Sequence, residues 1–167
     1  MAHSAQKPAL RPFLPADAPV LAAIFRDSVE LVAIEDYDEA QVEAWASLAD
    51  ADDFVARLTG GLTLIASLGG EIAGFATLRG KDEIDLLYVA SDAVRRGVAT
   101  ALCDALEKLA AARGAMSLVT DASDTARPFF AQRGYEPQMR NTQEIAGQWL
   151  GNTTMKKHLV PASGKSA

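Results

Sequence analysis

A short segment of this chain, residues 93–100 with the sequence AVRRGVAT, concentrates residue types that bind anions. Gly97 has the backbone freedom to let main-chain N–H groups approach a ligand closely. A helix that begins there points the positive end of its dipole to the same place. Arg95 and Arg96 add cationic donors, and Thr100 adds a hydroxyl one turn into the helix. The segment predicts a site for an anion such as a phosphate, with a tight turn carrying solvated arginines as the alternative.

Two common phosphate-binding patterns do not describe this segment. The Lys-Ser/Thr pair of a P-loop does not follow Gly97, and the glycine spacing of the dinucleotide fingerprint is missing. The pattern therefore disfavours ATP and NAD as ligands.

The elements that must position this segment can be predicted from hydrophobic periodicity and capping residues. A long helix is expected over residues 97–112, because its apolar residues recur at the helical period and Gly114 supplies a stop. Asp38 with Gln41 forms a capping box for another helix, and Asp17 is expected to cap the first one. The remaining predicted elements are a strand at 9–13, a helical piece at 52–58, strands at 62–67, 71–78, 83–89 and 115–120, a helix from 124 or 125 to 133, and strands at 135–146 and 152–160.

The order of these elements predicts one mixed sheet. Three consecutive strands from residue 62 to residue 89 read as antiparallel, and the last two strands read as a closing hairpin around residues 147–151. The unit from residue 83 to residue 120 is strand, helix, strand, the connection that makes a parallel pair. We therefore expect a single α/β (α+β) domain over residues 8–160, with flexible ends at 1–7 and 161–167.

Composition narrows the class of protein. The 167 residues carry 22 acidic against 16 basic side chains, a net charge of −6, which argues against a binder of duplex nucleic acid. The apolar stretches are shorter than the roughly 18 residues that a membrane span needs. The start of the chain lacks the apolar core of a secretion signal and Cys103 has no second cysteine to pair with, so we expect a cytoplasmic protein.

His3 and His158 have no metal-ligand partners at useful spacing, so no metal is expected.

The segment 93–100 and a second one, residues 126–135 with the sequence ARPFFAQRGY, together resemble the GCN5-related N-acetyltransferase (GNAT) superfamily. The acetyl-CoA loop of that family reads Gln/Arg-x-x-Gly-x-Gly/Ala. Gly97 and Ala99 match this pattern, and Val94 departs from it at the first position. The resemblance extends over roughly residues 8–160. It implies a mixed central sheet of about six to seven strands with helices on both faces and a splayed pair of parallel strands.

The resemblance also implies which groups hold acetyl-CoA. In that family successive backbone amides of the loop bind the CoA pyrophosphate, and the strand before the loop binds the pantetheine arm and polarises the thioester carbonyl. Ser123 stands where the family has an asparagine that reaches the CoA arm, and Phe130 stands where it has a tyrosine. The implied CoA-binding residues are Leu87, Tyr88, Val89, Arg95, Arg96, Gly97, Val98, Ala99, Thr100, Ser123, Arg127 and Phe130.

The implied reaction is direct transfer of the acetyl group to a primary amine, without a covalent enzyme intermediate. Removing the proton from an alkyl ammonium group at neutral pH costs about 4 to 5 kcal/mol, so a carboxylate acting as base would help. Glu83 falls where several family members carry this base, and Asp85 is the second choice. Strand alternation predicts that both lie on one face, with Ile84 and Leu86 on the other. A solvated charge, or a contact to the substrate cation, is the alternative role for each carboxylate.

Phe130 removes the usual proton donor. In the family a tyrosine at this place protonates the departing CoA thiolate, and a phenyl ring cannot donate a proton. A thiolate whose pKa is about 8.5 is already a tolerable leaving group, so we expect the missing acid to slow the reaction more than abolish it. The alternative function is an acetyl-CoA-binding sensor or interaction module without turnover, which Phe130 and Val94 both motivate.

In such proteins the acceptor pocket is built by the first two helices, their connection and the final hairpin. Asp36, Tyr37 and Trp149 would give it an acidic and aromatic wall suited to a cationic amine, carried by a small molecule or a peptide. Trp45 has similar chemistry, but its helical spacing favours the core. Dimers are frequent in the superfamily, so a homodimer is also an expectation.

Overall fold

The computed structural model describes residues 6–160 of the chain. Residues 1–5 and 161–167, which include His3 and most of the two predicted flexible ends, lie outside the described residues. The helices are α1 (Ala18–Leu31), α2 (Glu39–Ala46), α3 (Asp52–Thr59), α4 (Val98–Ala112) and α5 (Arg127–Gln132). The strands are β1 (Ala9–Pro12), β2 (Leu62–Leu68), β3 (Glu71–Arg79), β4 (Glu83–Val89), β5 (Ser117–Ser123), β6 (Glu136–Ile145) and β7 (Gln148–His158).

These strands form a 7-stranded sheet in the order β1-β2-β3-β4-β5-β7-β6. Neighbouring strands are antiparallel except β4 and β5, which are parallel because α4 connects them as a crossover. The parallel pair is joined only at Glu83 and Ile84, opposite Val119 and Thr120, and the two strands separate beyond those residues. The predicted mixed sheet with a splayed parallel pair is confirmed.

Helices cover both faces of the sheet, and each face has its own apolar core. On one face α4 and α5 bury side chains such as Leu102 and Phe130 against the sheet. On the other face α1 and α3 bury Phe25 and Phe54, whose rings contact each other, and Phe54 also contacts Phe75 of β3. Within residues 6–160, no helix is long and apolar enough to span a membrane.

Capping residues explain the start of one helix but not of another. The capping box predicted for α2 is confirmed, because Gln41 N–H donates to the Asp38 carboxylate at 2.8 Å and Asp38 N–H donates to the Gln41 side chain at 2.9 Å. Asp17 occupies the N-cap position of α1 without capping it, so that prediction is wrong. Its carboxylate instead accepts hydrogen bonds from the Arg11 guanidinium on β1 and from the N–H of Leu14.

The boundary between β5 and α5 differs from the prediction. β5 continues to Ser123 because it pairs with β7 along its whole length. α5 begins at Arg127 rather than at residue 124 or 125. The N–H of Asp124 donates to the hydroxyl of Tyr37 at 2.8 Å, so a contact from a distant part of the chain holds this residue outside the helix.

The final hairpin is tighter than predicted. Its turn consists of Ala146 and Gly147 and not of residues 147–151. Both turn residues have positive φ, 47° and 83°, as a two-residue turn of this kind requires. Trp149 and Leu150 are therefore neighbouring strand residues, whose side chains point to opposite faces of the sheet.

A β-bulge interrupts the alternation of β4. Ile84 is opposite Leu78 and Leu86 is opposite Thr77, which leaves Asp85 as an extra residue between them. The expectation that Ile84 and Leu86 share a face is therefore wrong. Ile84 lies in the core under α4, whereas Leu86 lies in the core on the opposite face, under α1 and α3.

Candidate active site

The chain turns into α4 through Arg95, Arg96 and Gly97, and this turn is exposed. Gly97 is the N-cap with a φ of 82°, and a Cβ placed on it would meet nothing within 4 Å. Arg95 also has a positive φ, 62°, which is uncommon for a residue with a side chain. In the part of the chain that the structure describes, no acceptor takes a hydrogen bond from the backbone N–H groups of residues 95–100. A row of open amides at the start of a long helix is suited to binding an anion.

Two contacts determine where this turn lies. The Asp27 carboxylate of α1 accepts hydrogen bonds from the N–H and the hydroxyl of Ser91, at 2.6 and 2.9 Å, in the segment that leads from β4 to the turn. Val98, at the start of α4, packs against Gly74 of β3, where a Cβ would lie 2.8 Å from Val98 Cγ1. These contacts hold the open amides close to the sheet.

The gap between β4 and β5 lies at the end of β4 that leads to this turn. Ala90 donates its N–H to Ala73 of β3 at 2.8 Å, so alternation directs the backbone groups of Leu87 and Val89 away from β3. They point toward β5, which has already separated from β4. Leu87 and Val89 therefore present backbone N–H and C=O groups to the gap, while their side chains pack on the core under α4.

A cavity of about 360 Å³ lies in this part of the molecule, a size that fits a small ligand. Its charged and polar lining residues include Arg57, Arg79, Glu83, Asp85, Thr120, Asp121, Ser123, Gln143 and Asn152. Its apolar and aromatic lining residues include Tyr37, Trp45, Leu48, Leu87, Tyr88, Phe130, Ile145 and Leu150. A second cavity of about 80 Å³ shares part of this lining, including Trp45, Tyr88 and Ser123.

Two arginine–carboxylate pairs form part of the charged lining. Arg57 of α3 donates two hydrogen bonds to the Asp85 carboxylate, at 3.0 and 3.1 Å, and one to the Asp85 carbonyl at the bulge. Arg79 donates two to Glu83, at 3.1 and 2.7 Å, and another of its nitrogens lies 3.7 Å from Asp85. The structure therefore brings Glu83 and Asp85 together at Arg79. Their side chains are 35% and 9% exposed, so Glu83 is the more accessible of the two.

Asp121 is a third carboxylate in the lining, and the sequence pattern did not predict it because the expected strand ended at Thr120. Its side chain accepts a hydrogen bond from the Thr154 hydroxyl of β7 at 2.6 Å. Within residues 6–160, neither these carboxylates nor any others combine into a group of three or more ligands that could hold a metal ion.

The hydroxyl groups around the cavity differ in their partners. Tyr37 donates to the carbonyl of Gly151 at 2.7 Å and accepts from Asp124 N–H, and burial raises its pKa. Burial also raises the pKa of Tyr88, which lines the cavity, to about 12. Tyr135 packs against Phe130 but donates its hydroxyl to Glu107 at 2.9 Å, and it does not line the cavity. All of these phenols are therefore protonated at neutral pH.

The predicted acceptor wall is only partly assembled. Tyr37 lines the cavity, but Asp36 is an exposed residue outside it, whose carboxylate accepts a hydrogen bond from Thr125 at 2.8 Å. Trp149 is 61% exposed and also lies outside the cavity, because the tight hairpin directs the side chain of Leu150 inward instead. Trp45 packs on the core, as expected, and also contributes to the lining.

The residues implied for CoA binding surround the turn and the gap. Phe130 is 2% exposed and lines the cavity, and so does Ser123, whose hydroxyl accepts a hydrogen bond from Ala126 N–H at 3.1 Å. Arg127 is exposed at the start of α5 and donates to the Thr153 hydroxyl at 3.4 Å, outside the cavity lining.

The ion pairs of the two arginines in the cavity differ in whether they could have been predicted from the sequence. Arg79 and Glu83 are opposite each other at the ends of β3 and β4, so the register of a tight hairpin would have predicted their ion pair. Arg57 comes from α3 and reaches a bulged residue far away in the sequence, a contact for which the local pattern carries no signal.

Comparison with known proteins gives consistent matches. The family model described as an acetyltransferase (GNAT) domain matches residues 33–159. The chain is 33% identical over 147 residues to the uncharacterised N-acetyltransferase YafP of Escherichia coli K12, a match that covers 88% of this chain and 93% of that protein.

Solved structures show the same fold. A GCN5-related N-acetyltransferase from Rhodopseudomonas palustris, also described as a class-II aminotransferase, has a TM-score of 0.90 at 58% identity, covering 95% of this chain and 100% of that one. The PaiA N-acetyltransferase of Thermoplasma acidophilum, solved in complex with coenzyme A, has a TM-score of 0.72 at 15% identity, covering 91% of this chain and 99% of that one. The second likeness is one of fold alone.

Proposed function

The chain belongs to the GNAT family of acetyltransferases, and from that membership we propose that it moves an acetyl group from acetyl-CoA directly to the primary amine of a small molecule or a peptide. As an acetyl-CoA-dependent N-acetyltransferase it needs a site for the CoA pyrophosphate, a path for the pantetheine arm and a pocket for the amine. The observation that carries the proposal is the row of open amides at Gly97, beside a gap in the sheet that is continuous with a cavity.

The donor half of the proposal assigns CoA contacts to backbone groups. The open amides of residues 95–100 bind the pyrophosphate, and the side chains of Arg95 and Arg96 add charge at the same place. The unpaired backbone groups of Leu87 and Val89 bind the pantetheine arm as a neighbouring strand would. Acetyl-CoA supplies the activated thioester carbon. The absence of a side chain at Gly97 supports this assignment, because a Cβ there would project into open space beside the amides.

Glu83 is the base in this proposal. The attacking nitrogen must lose a proton, and a carboxylate that water or the amine can reach can accept it. Glu83 is the more exposed of the two predicted carboxylates, whereas Asp85 is enclosed by Arg57 and Arg79. Glu83 keeps lone pairs beyond the two that Arg79 occupies, so it can still accept a hydrogen bond from a water molecule. Asp85 then serves to hold the two arginines.

The thiolate leaves without a tyrosine donor at position 130. The Phe130 ring is buried beside the gap, where it would pack against the pantetheine arm. The hydroxyls of Tyr37 and Tyr135 are already donated to Gly151 and Glu107. Because a thiolate of pKa about 8.5 is a tolerable leaving group, protonation by water after departure is sufficient.

A pair of glycine variants tests the donor half of the proposal. Gly97 and Gly114 lie at opposite ends of α4, both have positive φ, and a Cβ on either meets nothing within 4 Å. Gly97→Glu places a carboxylate among the amides and should weaken acetyl-CoA binding at least about 100-fold in a calorimetric titration. Gly114→Glu introduces the same strain and charge far from the site and should bind as the wild type does. Equal binding by both variants would refute the assignment.

Turnover separates the enzyme from a module that only binds acetyl-CoA. Release of CoA thiol in the presence of an amine panel, with mass detection of the acetylated product, should be observed with the wild-type protein. Binding of acetyl-CoA without release of thiol would favour the alternative function, a sensor or interaction module without turnover. The cytoplasmic location and the homodimer stay predictions, the first from cysteine usage and the second from the family.

A further inference from the structure

The three carboxylates of the cavity differ in whether an arginine pairs with them. Glu83 and Asp85 are each held by an arginine through two hydrogen bonds. Asp121, an exposed residue of β5 on the opposite side of the gap, accepts a hydrogen bond only from the neutral hydroxyl of Thr154, and it interacts with Arg79 only through space. In residues 6–160 no arginine, lysine or histidine lies within 4.0 Å of the Asp121 carboxylate. The charged lining therefore has one carboxylate more than it has arginines.

We propose that the acceptor is a primary amine with a single positive charge and an apolar body, and that Asp121 pairs with its ammonium group. This inference rests on the proposed function and adds the substrate class and a binding residue to it. An ammonium group next to Asp121 makes the cavity neutral. A carboxylate on the same acceptor would meet guanidinium groups that already bind Glu83 and Asp85, and it would lie among like charges.

The rest of the lining supports an apolar body. Leu150 and Ile145 from the hairpin are 6% and 8% exposed and line the cavity, as Leu48 does from the segment after α2. Asn152 of the hairpin is occupied at both ends of its side-chain amide, because it donates an N–H to Gln143 at 3.2 Å and accepts a hydrogen bond from Asn141 at 3.0 Å. An acceptor with many polar groups would find few free partners on this side, whereas an alkyl or aryl group would contact leucine and isoleucine side chains.

The test compares three amines and three proteins. Phenethylamine has one charge and an apolar body, phenylalanine adds a carboxylate to the same body, and putrescine carries two charges without an apolar end. The proteins are the wild type, Asp121→Asn and Asp82→Asn. Asparagine at position 121 can still accept the hydrogen bond from Thr154, so the fold is preserved. Asp82 is exposed in the turn between β3 and β4 and lies outside the cavity, so its variant controls for the loss of one negative charge.

We expect the wild type to acetylate phenethylamine with a kcat/KM at least about tenfold above the values for phenylalanine and putrescine. Asp121→Asn should lower kcat/KM for phenethylamine by about tenfold, mainly through KM, with unchanged affinity for acetyl-CoA. Asp82→Asn should match the wild type.

Three results would overturn the inference: a preference for phenylalanine or putrescine, an unchanged KM in Asp121→Asn, or no acetylation of phenethylamine by a protein that acetylates another amine of the panel. Failure to bind acetyl-CoA, or binding without release of thiol with any amine of the panel, would instead defeat the proposed function itself, so the two failures are distinguishable.

Discussion

Replacing Gly74 with alanine should disturb the fold and acetyl-CoA binding together, because this glycine is where β3 contacts the start of α4. The new Cβ would lie 2.8 Å from Val98 Cγ1 and 2.9 Å from the carbonyl oxygen of Tyr88. Carbon atoms in contact are normally about 3.5 to 4.0 Å apart, so α4 or β4 must move by roughly 0.7 Å or more. Val98 is 1% exposed, so it cannot relieve the contact by turning toward solvent. We expect a loss of about 1 to 3 kcal/mol in the free energy of unfolding, the usual range for overpacking.

The same displacement moves the open amides of residues 95–100, so the affinity for acetyl-CoA should fall by about tenfold. Urea unfolding measures the first effect and calorimetric titration measures the second. Val98→Ala provides the control, because it removes the methyl group that clashes. In a double-mutant cycle, Gly74→Ala should be less destabilising in the Val98→Ala background than in the wild type. The contact with the Tyr88 carbonyl remains, so the rescue should be partial. A Gly74→Ala protein with the stability and affinity of the wild type would refute the reasoning.

Three further perturbations address the base, a buried ion cluster and the first strand. Glu83→Gln should spare acetyl-CoA binding and lower the acetylation rate mainly below neutral pH, where free amine is scarce; an unchanged pH–rate profile would clear Glu83 of the base role. Glu107 accepts hydrogen bonds from Arg133, Tyr135 and Lys157, and its side chain is 14% exposed. Glu107→Gln should therefore reduce the free energy of unfolding by about 2 kcal/mol. The control is Asp104→Asn, at a side chain that is 56% exposed, which should change the free energy of unfolding by less than about 0.5 kcal/mol. The hydrogen bonds from Arg11 and Leu14 lower the pKa of Asp17 to about 2. The ionised carboxylate therefore stabilises the fold fully above its unfolded pKa of about 3.9, and this stabilisation is lost as the pH falls toward 2. In urea unfolding, the wild type should be more stable than Asp17→Asn at neutral pH, and the difference should vanish in strong acid.

The parts of the fold that were predictable from the sequence are those that local interactions determine. The capping box at Asp38 involves residues within one turn of helix, and the start of α4 depends on Gly97 and the apolar period that follows it. The end of β5 and the start of α5 were not predictable, because they depend on pairing with β7 and on the Tyr37 hydroxyl. No pattern within residues 115–133 contains either partner.

The proposed donor and acceptor halves of the candidate site differ in predictability for the same reason. The donor half uses backbone groups of consecutive residues, and a glycine at a helix start marks such groups in any sequence. The acceptor half uses side chains from several segments, and each depends on register. Because Asp85 is an extra residue at the bulge, the side chains of β4 that follow it point to the opposite faces from those that simple alternation predicts. Because the final hairpin has a two-residue turn, Leu150 and not Trp149 points into the cavity. Small register changes can therefore alter the acceptor pocket while the amides at Gly97 stay in place. A chain of this fold can thus keep its donor site as its acceptor changes, and acceptor identity must be argued from the side chains that reach the cavity.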